Sequence, residues 1–303
     1  MAFKGRVESD ELKSLRILNI RMELSEQEKR HLFNLEKGYD GEVNFDLLTE
    51  KLQNECYVLN DLLLKSNNSS FQIDTTIIYQ EPIYLIDVKN HKGDFIYKTD
   101  RLESLSGRVY PNPLDQLNRS STLFRQLMQN IGYNFPVESF AVFVDPEFTL
   151  YQAPQNLPFI FPTQLNQFMK KLNKLPSKLN NRHRMLAERL VSLHQTKSPY
   201  SIHPVYYYNQ CRKGFTCAGC RSFELSISAD NRSLVCIGCG YEERIESAIL
   251  RSVEEIKLLF PNLKITTNIV HDWCGGVGSK KRINRVLQRN FTVTGYGKWT
   301  YYE

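Results

Sequence analysis

The sequence predicts an α/β core with a mixed sheet flanked by helices, followed by a small four-cysteine module and a helical tail. Three observations lead there. Between residues 35 and 154 a helical pattern gives way to three β-rich runs, a helix and a further strand, an order that builds an α/β sheet. Between residues 206 and 246 short strands surround two Cys-x-x-Cys pairs. Beyond residue 247 the apolar residues return to helical spacing.

Residues 1–34 are charged and Leu-punctuated, and read as an N-terminal helical extension. "KGYDGEVNFDLLTEKLQNE" opens with glycines, then places Val43, Leu47, Leu48 and Leu52 at helical spacing. "CYVLNDLLL" is a β-rich run; "FQIDTTIIYQ" and "IYLIDVKN" follow as strands with a break at Gln80 to Pro82. "NPLDQLNRSSTLFRQLMQNIG" carries a stripe of Leu117, Leu123, Phe124, Leu127 and Met128 and ends near Gly132. "ESFAVFVDPEFTLY" reads as a strand pair, or a strand with a turn at Asp145–Pro146. Residues 155–205 read as a basic helical connector broken by Pro176, residues 206–246 as the cysteine module and residues 247–303 as the tail.

The chain has 303 residues, 41% of them hydrophobic and 24% charged, as in ordinary globular proteins. No run of 18 apolar residues occurs, which predicts no membrane span. "MAFKGRVESDELK" lacks the apolar stretch of a secretory signal. A cytoplasmic location is expected, where seven cysteines point to metal before disulfides. The net charge of +6 conceals an asymmetry: residues 1–154 hold 17 basic and 23 acidic side chains, residues 155–200 hold 8 and 1, and residues 201–303 hold 14 and 9. An acidic first half joined to a basic second half suits a polyanion-binding part attached to a part with another task.

"YLIDVKN" places a carboxylate, Asp87, and an ammonium, Lys89, on one face of an apolar strand. If Gln80 and Glu81 make a two-residue hairpin turn, paired residue numbers sum to 161 and Asp74 lies opposite Asp87. A turn at Glu81–Pro82 puts Asp74 opposite Lys89 instead, and a sum of 162 breaks the juxtaposition. Two carboxylates about 4 Å apart repel by about 4 kcal/mol at an effective dielectric near 20. A raised pKa or a bound cation must offset that. Hard oxygen ligands suit Mg²⁺; a salt-bridged surface patch is the plainer alternative.

Asp74 followed by Asp87-x-Lys89 resembles the PD-(D/E)XK nuclease signature. "KGYDGE", "FQID", "IYLIDVKNHKGDF" and "NPLDQ" come in the order and approximate spacing of the nuclease-related domain (NERD) family. The resemblance covers about residues 35–150. It implies a restriction-endonuclease-like core that cleaves DNA with Mg²⁺ or Mn²⁺. It also implies Glu42 as the acidic residue of the first helix, Asp74 and Asp87 as metal ligands, Lys89 as the group that orients or activates water, and Gln116 as a helix glutamine near the site. Asp87 departs from the Glu common in this superfamily. Asp94, Asp115 and Asp145 read as loop, helix-start and turn residues.

Cys217, Cys220, Cys236 and Cys239 have the spacing of a structural Zn²⁺ site. Four thiolates close a tetrahedron and leave no position for water, and the segment resembles a zinc ribbon with a hairpin turn at Asp230–Asn231. Cys56, Cys211 and Cys274 read as structural, and His183, His194 and His271 as surface or capping histidines. In the tail, Ser252-x-x-Glu255 reads as a capping box opening a helix. "KITTNIVHDWC" puts Ile265, Ile269, Val270 and Trp273 on one face, and Gly275–Gly276 makes a turn. "SKKRINRVLQRN" buries Ile283, Val286 and Leu287 and shows Lys280, Lys281, Arg282, Arg285 and Arg289 with no acid. This is a helix-turn-helix-like pattern for gripping DNA. "FTVTGYGKWTYYE", with Tyr296, Lys298 and Trp299, is a candidate wing; a helical cap with a solvated basic face is the alternative.

Together these readings predict a metal-dependent deoxyribonuclease with a DNA-binding zinc ribbon and tail. The alternatives are a non-catalytic nucleic-acid-binding regulator that keeps a nuclease fold, and an enzyme acting on RNA.

Overall fold

The computed structural model of the chain describes residues 2–197, 199, 201, 202 and 204–303, the Lys298 side chain excepted. The chain divides into two compact units, Met1–Glu8 with Phe33–Ser201, and Ser9–Leu32 with Ile202–Glu303. Helix α1 (Asp10–Arg21), capped by the Ser9 side chain, belongs to the second unit. Helix α2 (Glu26–Thr49) begins in the second unit and continues in the first. It runs unbroken through Gly38 and Gly41, where the sequence had suggested a helix start.

In the first unit, α2 leads into β1 (Tyr57–Ser66), β2 (Ser69–Ile78) and β3 (Ile83–Lys89), an antiparallel meander. Strands β4 (Gly93–Tyr97), β5 (Arg101–Ser104) and β6 (Val109–Pro111) follow, then α3 (Pro113–Asn130), β7 (Val137–Phe143), β8 (Phe148–Tyr151) and β9 (Phe159–Ile160). The main sheet has the order β1-β2-β3-β7-β9, with β7 parallel to β3 and β9 parallel to β7, so it is mixed. Strands β7 and β8 flank the Asp145 turn without pairing: β8 joins a second sheet, β6-β5-β4-β8. Helices α4 (Leu165–Asn173) and α5 (Asn181–Ser192) complete the unit. Residues 155–205, expected as a connector, thus supply β9, α4 and α5 to the unit that holds the sheet.

Period-two alternation explains how β3 carries both core and polar residues. Ile83 and Leu85 pack with Phe124, Leu127 and Met128 of α3 and Leu186 and Leu190 of α5. Tyr84, Ile86 and Val88 pack on the other face with Phe45 of α2 and with Phe168 and Leu172 of α4. Each fully buried side chain of this size stabilises the fold by about 1.5–3 kcal/mol over its exposed state. Asp87 and Lys89 continue the α3 side. Helix α3 starts where its sequence dictates: the Asn112 side chain accepts the Leu114 amide, Pro113 occupies the first turn, and Gly132 takes φ +81° beyond the end.

The second unit contains a three-stranded antiparallel sheet of β10 (Leu225–Ile227), β11 (Ser233–Cys236) and β12 (Glu242–Arg244). Helices α6 (Ile245–Leu259), α7 (Thr267–Trp273) and α8 (Lys280–Asn290) follow, then a hairpin of β13 (Val293–Thr294) and β14 (Tyr301–Tyr302). The expected capping box at Ser252 is absent. The apolar stripe of α6 already starts at Ile245, so Ser252 lies in mid-helix and its Oγ donates to Ala248 O at 2.8 Å. Among the described residues no helix is long and apolar enough to cross a membrane.

Candidate active site and metal centre

Gly41 explains how α2 reaches the end of β3. A Cβ there would stand 2.5 Å from the Asn90 Cβ, so only glycine permits the approach. Asn90, just past Lys89, donates from Nδ2 to Lys37 O at 2.7 Å and fixes the contact. Glu42 follows Gly41 and faces the same region.

The β2–β3 register sums to 161, from Ile78 with Ile83 to Thr75 with Ile86. Backbone pairing ends there. At the next position the Asp74 side chain takes over: its Oδ2 accepts the Val88 amide at 2.7 Å. Asp74 therefore comes level with Asp87, the register of a turn centred on Gln80–Glu81, although the ladder opens after Ile78 and Ile83 and the connection runs over residues 79–82.

Asp87, Lys89 and Gln116 form a closed group. Lys89 Nζ lies 3.1 Å from Asp87 Oδ1, 2.9 Å from Asp87 Oδ2 and 2.9 Å from Gln116 Oε1. Gln116 Nε2 donates to Asp87 Oδ1 at 3.0 Å. Gln116 reaches them from the first turns of α3. Asp87 Oδ2 is buried and takes no well-aligned hydrogen bond beyond the ammonium nearby.

Glu42 stands in a second group. Arg6 Nη1 donates to Glu42 Oε2 at 2.5 Å, Arg6 Nε to Asp46 Oδ2 at 2.9 Å, and Arg6 Nη2 to the Asp74 carbonyl at 2.8 Å. Burial raises the pKa of Glu42 to about 8, with the nearby Asp74 charge adding to it against the pull of Arg6. Burial likewise raises Asp74 to about 7, with Asp87 adding and Lys89, the Val88 amide and Arg6 opposing. Asp87 is raised by burial against the opposing charge of Lys89. Asp74 thus lies between a Lys–Gln–Asp group and an Arg–Glu–Asp group.

Two adjacent carboxylates, burdened by burial and each other, with one buried oxygen short of donors, suit a hard divalent cation such as Mg²⁺ or Mn²⁺. Glu42, Asp74 and Asp87 do not converge on a single point. Among the described residues, only the four cysteines bring three or more His, Cys, Asp or Glu ligand atoms within 4.8 Å of one another. Arg6 and Asp46 escaped the sequence reading. Asp46 was findable, four residues after Glu42 on one helix face; nothing local marks Arg6. Asp115 lies in the first turn of α3 and Asp145 caps its turn through the Glu147 amide, whereas Asp94 sits on β4.

Cys217, Cys220, Cys236 and Cys239 cluster around the β10–β12 sheet and can hold Zn²⁺. The sulfurs of Cys217 and Cys239 are 3.6 Å apart and those of Cys220 and Cys236 3.4 Å apart. The Gly219 and Cys220 amides donate to Cys217 Sγ at 3.3 and 3.4 Å, which favours thiolate. Positive φ at Arg221, Asn231 and Gly240 shapes the two knuckles and the intervening turn. Cys56, Cys211 and Cys274 are free thiols. His183 serves as a capping residue of α5, and His194 Nδ1 accepts the Leu63 amide; neither meets metal-ligand company.

On α8, Ile283, Val286 and Leu287 are buried, while Lys280, Lys281, Arg285 and Arg289 are exposed and Arg282 half-exposed. Ser279 caps the helix, and three cations occupy its first turn. Tyr296 is 93% exposed on the β13–β14 hairpin; the Lys298 side chain lies outside the described residues.

The first unit is therefore an α/β domain with a carboxylate–lysine site at the end of its central strands. Residues 37–144 match the model of the nuclease-related domain family. That match covers Glu42, Asp74, Asp87, Lys89 and Gln116 and bears out the resemblance read from "KGYDGE", "YLIDVKN" and "NPLDQ". No curated protein and no solved structure matches the chain.

Proposed function

We propose that the protein is a divalent-metal-dependent nuclease that hydrolyses phosphodiester bonds of DNA. The family match supports it, and the Asp87–Lys89–Gln116 group with Asp74 at its side is the observation that carries it. Asp74 and Asp87 would hold Mg²⁺ or Mn²⁺. A bound ion supplies positive charge at the phosphoryl oxygen and a more acidic water.

The chain's own residues do the rest. Lys89 places an ammonium where negative charge builds as water attacks phosphorus and the P–O bond to the leaving oxygen breaks. Gln116 accepts from Lys89 and donates to Asp87, which fixes both in direction. The Val88 amide orients Asp74. Helix α8 and the cysteine module would grip the phosphate backbone. Lys280, Lys281 and Arg282 crowd the positive end of the α8 dipole, a mutual repulsion that a phosphate relieves.

The test is cleavage of plasmid DNA by zinc-loaded protein with Mg²⁺ or Mn²⁺ and with EDTA. Cutting that needs the metal and vanishes in Asp87→Asn and Lys89→Ala, with binding retained, supports the proposal. Equal cleavage by the double variant removes these residues from the active site. Tight binding without cleavage in any divalent metal favours the regulator, a reading that the closed Lys89–Asp87 pair keeps in view. Cleavage of RNA in preference to DNA reassigns the substrate.

A further inference from the structure

The segment before the family-matched residues reaches into the candidate active site. The Phe3 amide donates to Val58 O at 2.8 Å and the Asn60 amide to Lys4 O at 2.9 Å. Lys4 Nζ donates to the carbonyls of Asn60 and Asp61 at 2.7 and 2.8 Å. These bonds pin a short strap along β1 and deliver Arg6 to α2 and β2. The Arg6 side chain is only 4% exposed. Its fork is committed to Glu42, to both oxygens of Asp46 and to the Asp74 carbonyl.

We propose that Arg6 is a positioning residue that stands in for a second cation, so that the site takes a single divalent ion at Asp74 and Asp87. This rests on the nuclease reading above. Arg6 gathers the carboxyl groups of Glu42 and Asp46 and the backbone of Asp74 around one guanidinium, and carboxylates drawn this close need a cation to stay ionised. A guanidinium keeps its charge at any working pH and meets carboxylates in a rigid planar fork. Glu42 and Asp46, already paired with it, are withdrawn from metal ligation. A second ion would have to expel a buried side chain held by the strap. Asp74 is shared: its carbonyl belongs to Arg6 and its carboxylate faces Val88 and Asp87.

Binding of Mn²⁺ to the zinc-loaded full chain, followed by electron paramagnetic resonance and titration calorimetry, tests this. Wild type should take up one Mn²⁺, lost in Asp87→Asn. Arg6→Gln removes the charge and should take up a second Mn²⁺, doubling the uptake; Arg6→Lys should restore one. Glu42→Gln should leave wild-type uptake unchanged, and this variant decides the matter if Arg6→Gln does not fold. An Arg6→Gln variant with native circular dichroism and zinc content that binds one Mn²⁺ at wild-type affinity overturns the proposal. So does loss of Mn²⁺ in Glu42→Gln, or two Mn²⁺ on wild type; all three leave the nuclease reading intact. No Mn²⁺ on wild type overturns both.

Discussion

Asp74 Oδ2 accepts the Val88 amide at 2.7 Å, one position beyond the last backbone pair between β2 and β3. The bond ends the ladder, satisfies a buried donor and sets a carboxylate beside Asp87. Its two functions separate by substitution. Asp74→Ala leaves the Val88 amide without its acceptor, at a cost of about 1–3 kcal/mol. Asp74→Asn keeps an acceptor oxygen and removes the repulsion with Asp87. Urea unfolding should therefore show Asp74→Ala destabilised and Asp74→Asn close to wild type, while neither cleaves DNA.

His91 follows the site by two residues and packs against aromatic rings: its centroid lies 5.4 Å from Phe95, 5.2 Å from Tyr110 and 6.2 Å from Phe148. Burial lowers its pKa to about 4, and the charges of Lys89, Lys37 and Arg108 act the same way. Between this value and the ordinary 6.5 the unfolded chain binds the proton and the folded chain does not. This contribution to stability is complete above pH 6.5 and is lost as pH falls through that window. At pH 5 the loss is about 2 kcal/mol. Urea midpoints at pH 5 and 7.5 should differ less in His91→Phe than in wild type; equal differences would refute the assignment.

Arg21 closes α1 with a buried charge. Its Nε and Nη2 donate to Glu255 Oε2 at 3.0 and 2.6 Å, and Nη1 to Arg212 O at 2.8 Å. Its guanidinium lies 4.3 Å from the Trp273 ring centroid, and Trp273 Nε1 donates to the same carboxylate oxygen. Removing one partner of a buried ion pair costs about 3–5 kcal/mol. Arg251, 3.6 Å from Glu255 Oε1, offsets part of that. Arg21→Met should lower stability by about 3 kcal/mol in urea unfolding, and Arg21→Met with Glu255→Gln should lower it by less than Arg21→Met alone.

What was legible in the sequence was local and periodic. Ile86 to Lys89 alternates apolar and charged residues, so Asp87 and Lys89 could be placed on one side of β3 directly. Cys217 to Cys239 reveals itself by spacing, whereas Gln116 is marked only by the resemblance of "NPLDQ" to the family's pattern. What stayed hidden depends on distant chain. Arg6 meets Glu42 only because a strap runs along β1. Gly41 read as a helix start because glycine disfavours helices, but the close approach of Asn90 demands it in mid-helix. Strands β4 to β6 are short and half-exposed, with too little alternation to stand out. Ser252 matched a capping pattern that the apolar stripe from Ile245 overrides.

The cysteine cluster makes a metal prediction independent of the proposed nuclease site. Metal binding at a four-thiolate site is folding free energy, on the order of 10–16 kcal/mol in isolated zinc fingers. Purified protein should carry one Zn²⁺ per chain by elemental analysis, and Cys236→Ser should carry none. A strong chelator should unfold β10 to β12, seen as loss of protection in hydrogen exchange across residues 217–244.

The first turn of α8 sets stability against binding. Lys280, Lys281 and Arg282 lie where the helix dipole is positive, and each is disfavoured there by about 0.3–1 kcal/mol. Lys281→Glu should therefore stabilise the second unit slightly, because an acid at that end suits the dipole. If the same cations hold phosphates, the substitution should weaken DNA binding and lower the slope of log K against log salt by about 0.9 for each phosphate no longer neutralised. Arg289→Gln, at the opposite end, should cost stability instead, since a cation there is favourable. Fluorescence anisotropy across a salt series, with thermal melts of the same variants, reads both quantities. A Lys281→Glu variant that is more stable and binds with an unchanged salt slope would make the basic face of α8 a solvated surface.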